Sequence, residues 1–80
     1  MRHDEIWSYE YDRILEYFME NGAAASGSLL RLPGCTVTLQ PQPGRKLGDL
    51  VLPRTRVIIE GEDSEKVYHA FYLNFLSGGA

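Results

Sequence analysis

Apolar residues repeat with a helical period near both ends of the chain and with a period of two between them. Four of them share one side of a first helix: Trp7, Tyr11, Ile14 and Phe18. Six acidic residues occupy other positions of this segment: Asp4, Glu5, Glu10, Asp12, Glu16 and Glu20. The spacing therefore predicts a helix over residues 3–21, with Asp4 as its N-cap. Four further apolar residues lie off its main stripe: Ile6, Tyr9, Tyr17 and Met19.

The middle of the chain has the alternation typical of β-strands. In residues 35–40, Cys35, Val37 and Leu39 alternate with polar residues, which predicts one buried and one wet face. Residues 55–60 predict a second strand, and residues 29–32 a short third one. Residues 22–28 are small and polar, which favours a flexible link. Residues 41–49 contain two prolines and two cations, which favours an exposed basic loop.

A second helix is predicted from residue 64 to residue 76, with Asp63 or Ser64 as N-cap and Gly78-Gly79 at its end. From residue 67 onward it is apolar except at His69 and Asn74. A helix that contacts only a sheet needs one apolar stripe, so this helix is expected to have a second neighbour. The first helix and a second copy of the chain are the two candidates.

These elements predict one domain over residues 1–80, a small α+β protein with a two-layer sandwich. The expected order is α-β-β-β-α, with a mostly antiparallel sheet and both helices on one face. The expected core comprises nine residues: Trp7, Ile14, Phe18, Val37, Leu39, Val57, Ile59, Phe71 and Phe75. An intertwined dimer, with the last helix packed across a two-fold axis, is the alternative architecture.

Length and cysteine content indicate how such a domain is stabilised. The chain has 80 residues and a single cysteine, Cys35, so an internal disulfide is excluded. Small domains without disulfides or metals often depend on oligomerisation. A lone thiol fits the reducing cytoplasm, which is the expected location. No apolar run resembles a signal peptide or a membrane span.

The charge of −3 is unevenly distributed, with acidic ends around a basic middle. Five cations of that middle segment form a candidate site for nucleic acid or another anion: Arg31, Arg45, Lys46, Arg54 and Arg56. Sheets that bind RNA also present aromatic side chains for base stacking. The pattern places all aromatic residues in the two helices. Nucleic-acid binding is therefore the second hypothesis, and pairing of acidic helices with a basic sheet explains the same charges.

No arrangement of residues predicts catalysis or a bound cofactor. Cys35 is in phase with buried strand residues, which favours a core position over a nucleophile paired with His69. Two histidines without a spacing motif do not predict a metal site. Acidic residues from Glu60 to Glu65 suit the positive end of a helix, and their spacing does not match a calcium loop. We therefore expect no enzyme activity, no metal and no cofactor.

The predicted function is a non-enzymatic protein-interaction or adaptor module that associates with itself. The apolar girth of the second helix predicts a homodimer, because large exposed apolar patches are rare on monomers. Three residues are expected at the interface: Tyr68, Tyr72 and Leu76. The alternative function is a nucleic-acid or anion-binding domain that uses the basic sheet face.

Overall fold

Five antiparallel strands and two helices form the fold in the computed structural model, which describes residues 2–77. The elements are β1 Arg2–Trp7, α1 Tyr11–Glu20, β2 Ala24–Ser26, β3 Leu29–Leu32, β4 Cys35–Leu47, β5 Leu50–Glu60 and α2 Ser64–Ser77. The strand order in the sheet is β1-β5-β4-β3-β2. The predicted α+β class and antiparallel sheet are confirmed, but the predicted order α-β-β-β-α lacks β1 and β2. Gly78-Gly79, the predicted end of α2, lies outside the described residues.

The first segment is a strand, not the start of a helix. β1 pairs with β5 from Arg2↔Glu60 to Trp7↔Thr55, and α1 begins only at Tyr11. Asp4, the predicted N-cap, lies inside β1 and pairs with Ile58. The helical spacing of Trp7 with Tyr11 is a weak local preference, and tertiary contacts commonly override it. Here the edge of β5 offers a full set of backbone partners to β1.

Most of residues 41–49, predicted to be an exposed basic loop, belong to a strand. β4 continues through them to Leu47 and remains paired with β5. The Leu39 N–H donates to the Ser28 carbonyl, so odd-numbered residues of β4 direct their N–H groups away from β5. By this alternation, the donor that Pro41 lacks would have pointed to the open edge of β4. The β4–β5 ladder therefore loses no hydrogen bond at Pro41. A strand tolerates proline at positions whose N–H would face an open edge.

An irregularity in the β4–β5 ladder accommodates the second proline. The register shifts between Gln42 and Arg45, so that Pro43 and Gly44 lie within a β-bulge. A Cβ atom on Gly44 would approach Val51 Cγ1 to 2.5 Å and the Leu52 carbonyl oxygen to 3.2 Å. Glycine at this position is therefore what allows the two strands to remain close past the bulge.

One buried cluster joins the two helices to the sheet. Its strand members alternate along β4 and β5, and its helix members come from both helices: Ile14, Phe18, Val37, Leu39, Val57, Ile59, Phe71 and Phe75, among others. These eight predicted core positions are confirmed. Trp7 is half-buried and packs against the cluster from β1, with its ring 4.9 Å from that of Phe71. Within residues 2–77, neither helix combines the length and the apolar character needed to cross a bilayer.

Candidate interaction surfaces

The face of the sheet opposite the core, called here the outer face, carries the arginines that the sequence singled out. Strand alternation places Arg54 and Arg56 of β5 and Arg31 of β3 on it. Arg56 is engaged by β1. Its Nε donates to Asp4 Oδ1 at 2.8 Å and its Nη2 to Asp4 Oδ2 at 2.5 Å, while Nη1 donates to Gln40 Oε1 at 3.3 Å.

The Asp4–Arg56 pair changes the electrostatics of the outer face. The hydrogen bonds from Arg56 lower the pKa of Asp4, and the same carboxylate raises the pKa of Arg56. Arg2 lies 3.6 Å from both Asp4 and Glu60, which adds a second cation to the same network. This end of the outer face is therefore close to neutral, and Arg56 has its charge compensated within the chain.

Replacing Asp4 by asparagine is expected to remove a pH-dependent contribution to stability. Because the pKa of Asp4 is lowered from 3.8 in the folded chain, its contribution is fully present above pH 3.8 and is lost as pH falls through the lower folded value. Asp4→Asn should therefore be less stable than wild type at neutral pH, and the difference should shrink in acid. The effect is small because the pair is exposed.

Urea denaturation at several pH values between neutrality and about pH 2 measures this difference. Glu62→Gln is the matched control, because Glu62 is exposed and forms no ion pair among residues 2–77. A difference between Asp4→Asn and wild type that stays constant down to the lowest pH would contradict the proposed contribution of the ion pair.

The remaining cations lie mostly on a projecting pair of strands. β1 ends opposite Thr55 and β3 pairs only as far as Thr38, so residues 42–54 of β4 and β5 form a two-stranded ribbon. The ribbon carries Arg45, Lys46 and Arg54, none of which forms an ion pair within the described chain. Its apolar residues Leu47, Leu50 and Val51 are 47%, 67% and 60% exposed. The sequence did not predict this ribbon.

The predicted dimer-interface residues of α2 have different surroundings. Tyr68 is half-buried against β1, where its ring stacks on His3 at 4.0 Å between centroids. A hydrogen bond to the Glu5 carboxylate raises the pKa of Tyr68 to about 12, because removing the phenolic proton would place two negative charges together. In contrast, Tyr72 is 37% and Leu76 61% exposed. The solvent-facing apolar surface of α2 therefore begins beyond Tyr68.

Two of the apolar residues off the main stripe of the predicted first helix, Tyr9 and Tyr17, are covered within the chain. The Tyr9 hydroxyl donates to the Phe75 carbonyl at 2.6 Å, and its ring meets that of Phe75 edge-on. Tyr17 has ring contacts with Phe18, Phe71 and Phe75. These two tyrosines therefore need no second copy of the chain as a partner. Ile6 and Met19 remain 48% and 44% exposed.

The side chains considered above for catalysis or metal binding do not form a common site among the described residues. Cys35 is buried, and burial, with a smaller effect from Asp63, raises the pKa of its thiol, which disfavours the nucleophilic thiolate. His69 is exposed on α2, so it lies in a different environment from Cys35. Within residues 2–77, no three His, Cys, Asp or Glu side chains are arranged to hold a metal ion.

A cavity of about 270 Å³ lies between the helices beside the β3–β4 turn. Its walls include Tyr17, Pro33, Asp63, Lys66 and Val67. Its charged groups, one carboxylate and one ammonium, are both on exposed residues, so solvent screens their interactions with a small ligand.

No protein-family model matches the chain, and no curated protein shows significant sequence similarity to it. Evidence for a function of this protein therefore comes from the surfaces described above.

Proposed function

We propose that the protein is a non-enzymatic interaction module that associates with itself through the exposed side of α2. The observation that carries this proposal is the apolar character of that side, where Tyr72, Leu73 and Leu76 are 37%, 48% and 61% exposed. A helical surface of this kind is self-complementary when two copies meet about a two-fold axis, since each patch contacts its own image. Burial of these side chains is the driving force.

The small size of the domain supports the same proposal. The only thiol is unpaired, and the described residues offer no cluster for a metal, so neither kind of cross-link supports the core. Small domains in this situation commonly gain stability from a partner. The absence of enzyme activity and the cytoplasmic location remain predictions from the sequence.

Wild-type protein is expected to show a concentration-dependent dimer, and Leu76→Glu is expected to weaken dimerisation at least tenfold. A charge at the centre of an apolar contact must be desolvated without a partner, which opposes association. Light scattering after size exclusion, over a hundredfold range of concentration, measures the mass. Thermal stability should fall on dilution together with the dimer fraction.

Asn74→Glu is the matched control, since Asn74 is an exposed polar residue of α2 that lies away from Tyr72 and Leu76 around the helix. It introduces the same charge on the same element and should leave dimerisation unchanged. A monomer mass for wild type at every concentration, with an unchanged melting temperature, would refute the proposed self-association.

Nucleic-acid or anion binding is the second candidate function. It is supported by Arg31, Arg45, Lys46 and Arg54, which form no ion pair among the described residues. Two observations rank it second. Arg56 is neutralised by Asp4, and the outer face presents no aromatic side chain for stacking, because Trp7 points to the core side of β1.

A further inference from the structure

The ribbon of residues 42–54 combines two features that a solvated hairpin does not need. Its end exposes the apolar side chains Leu47, Leu50 and Val51. Beside them are Arg45 and Lys46, whose charges have no partner among residues 2–77. An apolar surface flanked by uncompensated cations fits a partner that is apolar in its centre and acidic around it.

The ribbon is protected against pairing through its backbone. On the β4 edge, Pro41 lacks the N–H group that would point outward, as the direction of the Leu39 donor shows. On the β5 edge, the same alternation directs the backbone nitrogen of Pro53 away from β4. It faces the open side of β5, where β1 has already ended. Prolines on open edges prevent the addition of further strands. The two prolines therefore disfavour strand addition at the base of the ribbon and favour a partner that contacts the ribbon through side chains.

A surface with the required chemistry is present on α1 of the same protein. Five residues follow the i, i+3, i+4, i+7, i+8 pattern of one helix side: Asp12, Leu15, Glu16, Met19 and Glu20. The three carboxylates are exposed and form no ion pair within the described chain, and Met19 is 44% exposed. Leu15 is half-buried between them. This acidic helix side is therefore opposite in charge to the ribbon, and like the ribbon it has an apolar part.

We propose that the ribbon of one copy docks on the acidic helix side of α1 in a second copy. Arg45, which shares a face of the ribbon with Leu47 and Leu50, meets the carboxylates of Glu16 and Glu20, while these leucines cover Met19. Lys46 lies on the other face and adds positive charge to the same end of the ribbon. The inference rests on the proposed self-association and names a second contact for it, separate from the α2 surface. In a two-fold dimer the contact occurs twice, since each copy provides one ribbon and one helix.

The charge of the whole chain favours this partner over nucleic acid. The net charge is −3 and the isoelectric point about 5.2, so the protein as a whole repels a polyanion. Two copies, by contrast, bring each cationic ribbon to an acidic helix. Exposure of Met19 beside the carboxylates is also accounted for by an apolar, cationic partner.

Two charge-reversed variants test the contact. Arg45→Glu/Lys46→Glu makes the ribbon acidic, and Glu16→Lys/Glu20→Lys makes the helix side basic. All four residues are exposed, so both variants should retain the fold, which circular dichroism and melting temperature verify. Each variant alone should associate at least tenfold more weakly than wild type at low salt, because like charges then face each other.

An equimolar mixture of the two variants should restore association, since the acidic ribbon of one meets the basic helix of the other in both directions. Sedimentation equilibrium measures the masses, and added salt should weaken the mixed dimer. The proposal would be overturned if each variant measured alone associated as tightly as wild type. It would also be overturned if the two variants associated no more tightly in the mixture than alone. So would binding of a labelled DNA duplex by wild type that Arg45→Glu/Lys46→Glu abolishes, because the ribbon would then serve nucleic acid.

The α2 surface is tested separately by Leu76→Glu. Restored association in the mixture, with no effect of Leu76→Glu, retains the ribbon contact and removes the α2 interface. Loss of the dimer in Leu76→Glu, without restoration in the mixture, retains the α2 interface and overturns the ribbon contact.

Discussion

Phe71→Ala is expected to lower the free energy of unfolding by about 3–5 kcal/mol. Phe71 is 0% exposed and lies where the two helices and β1 meet. Its ring centroid is 5.3 Å from that of Phe18, in a stacked arrangement, and 4.9 Å from those of Trp7 and Phe75. Alanine would remove the contacts that Phe71 makes with Phe18 of α1 and Trp7 of β1 and leave a cavity that the neighbouring rings fill only in part.

Urea denaturation followed by circular dichroism measures the change, together with the slope of the transition. The loss is of the same order as the stability of a small domain, so partial unfolding in buffer is the expected appearance. Asn74→Ala, an exposed substitution on the same helix, is the control and should change stability by less than about 0.5 kcal/mol. A loss below about 1 kcal/mol for Phe71→Ala would show that its site collapses without a cavity.

The core was predictable because its signals are local. In β4, Val37 and Leu39 alternate with polar residues, and register in an antiparallel pair follows from such alternation. In β5, Val57 and Ile59 share one face, and Ile58 lies between them on the other. In α2, Phe71 and Phe75 share the buried side, while Tyr68 and Tyr72, which have the same spacing, share a more exposed one. In these elements the residue pattern and the tertiary contacts favour the same structure.

β1 was not predictable in the same way. Its pairing with β5 joins residues 48 to 58 positions apart, from Trp7↔Thr55 to Arg2↔Glu60, and no local pattern contains that information. The spacing of Trp7 with Tyr11 suggests a helix, although the two residues belong to different elements. The same error hid the partner of Arg56, because Asp4 faces that arginine only when residues 2–7 form a strand.

The ribbon was missed for a different reason, since prolines were interpreted without knowing which edge they face. One local signal does indicate it. Gly48-Asp49 separates the paired residues Leu47 and Leu50, and Gly48 has φ +62°. Glycine at the first of two connecting residues is typical of a type II′ hairpin turn. Combined with the apolar residues on either side, this dipeptide favours a hairpin over an exposed loop.

Gly61→Ala is expected to lower the free energy of unfolding by about 2–4 kcal/mol, from two independent causes. Gly61 has φ +126°, a conformation that residues with a Cβ atom rarely adopt. A Cβ atom here would also lie 2.5 Å from the Gly34 carbonyl oxygen and 3.0 Å from Cys35 Cα. Both are backbone atoms, so relief requires the β3–β4 turn to move.

The β3–β4 turn is also hydrogen-bonded to the start of α2, so a substitution at Gly61 affects the helix as well. The Asp63 N–H donates to the Gly34 carbonyl at 3.0 Å, next to the buried Ser64 that begins the helix. Displacing the Gly34 carbonyl therefore weakens the hydrogen bond that holds α2 against the turn. A Cβ atom on Gly34 would meet only the side chain of the exposed Asp63, which can rotate away, whereas the Cβ on Gly61 meets backbone.

Gly27→Ala separates the two causes, because Gly27 also has a positive φ, +63°, but nothing lies within 4 Å of an added Cβ. It should therefore show backbone strain alone, about 1–2 kcal/mol. Urea denaturation of both variants, at one protein concentration, gives the comparison. Amide hydrogen exchange should also accelerate at the start of α2 in Gly61→Ala and remain unchanged there in Gly27→Ala. Equal losses of stability in the two variants, with equal exchange in α2, would show that contact between Gly61 and the β3–β4 turn contributes nothing beyond the conformation of the glycine.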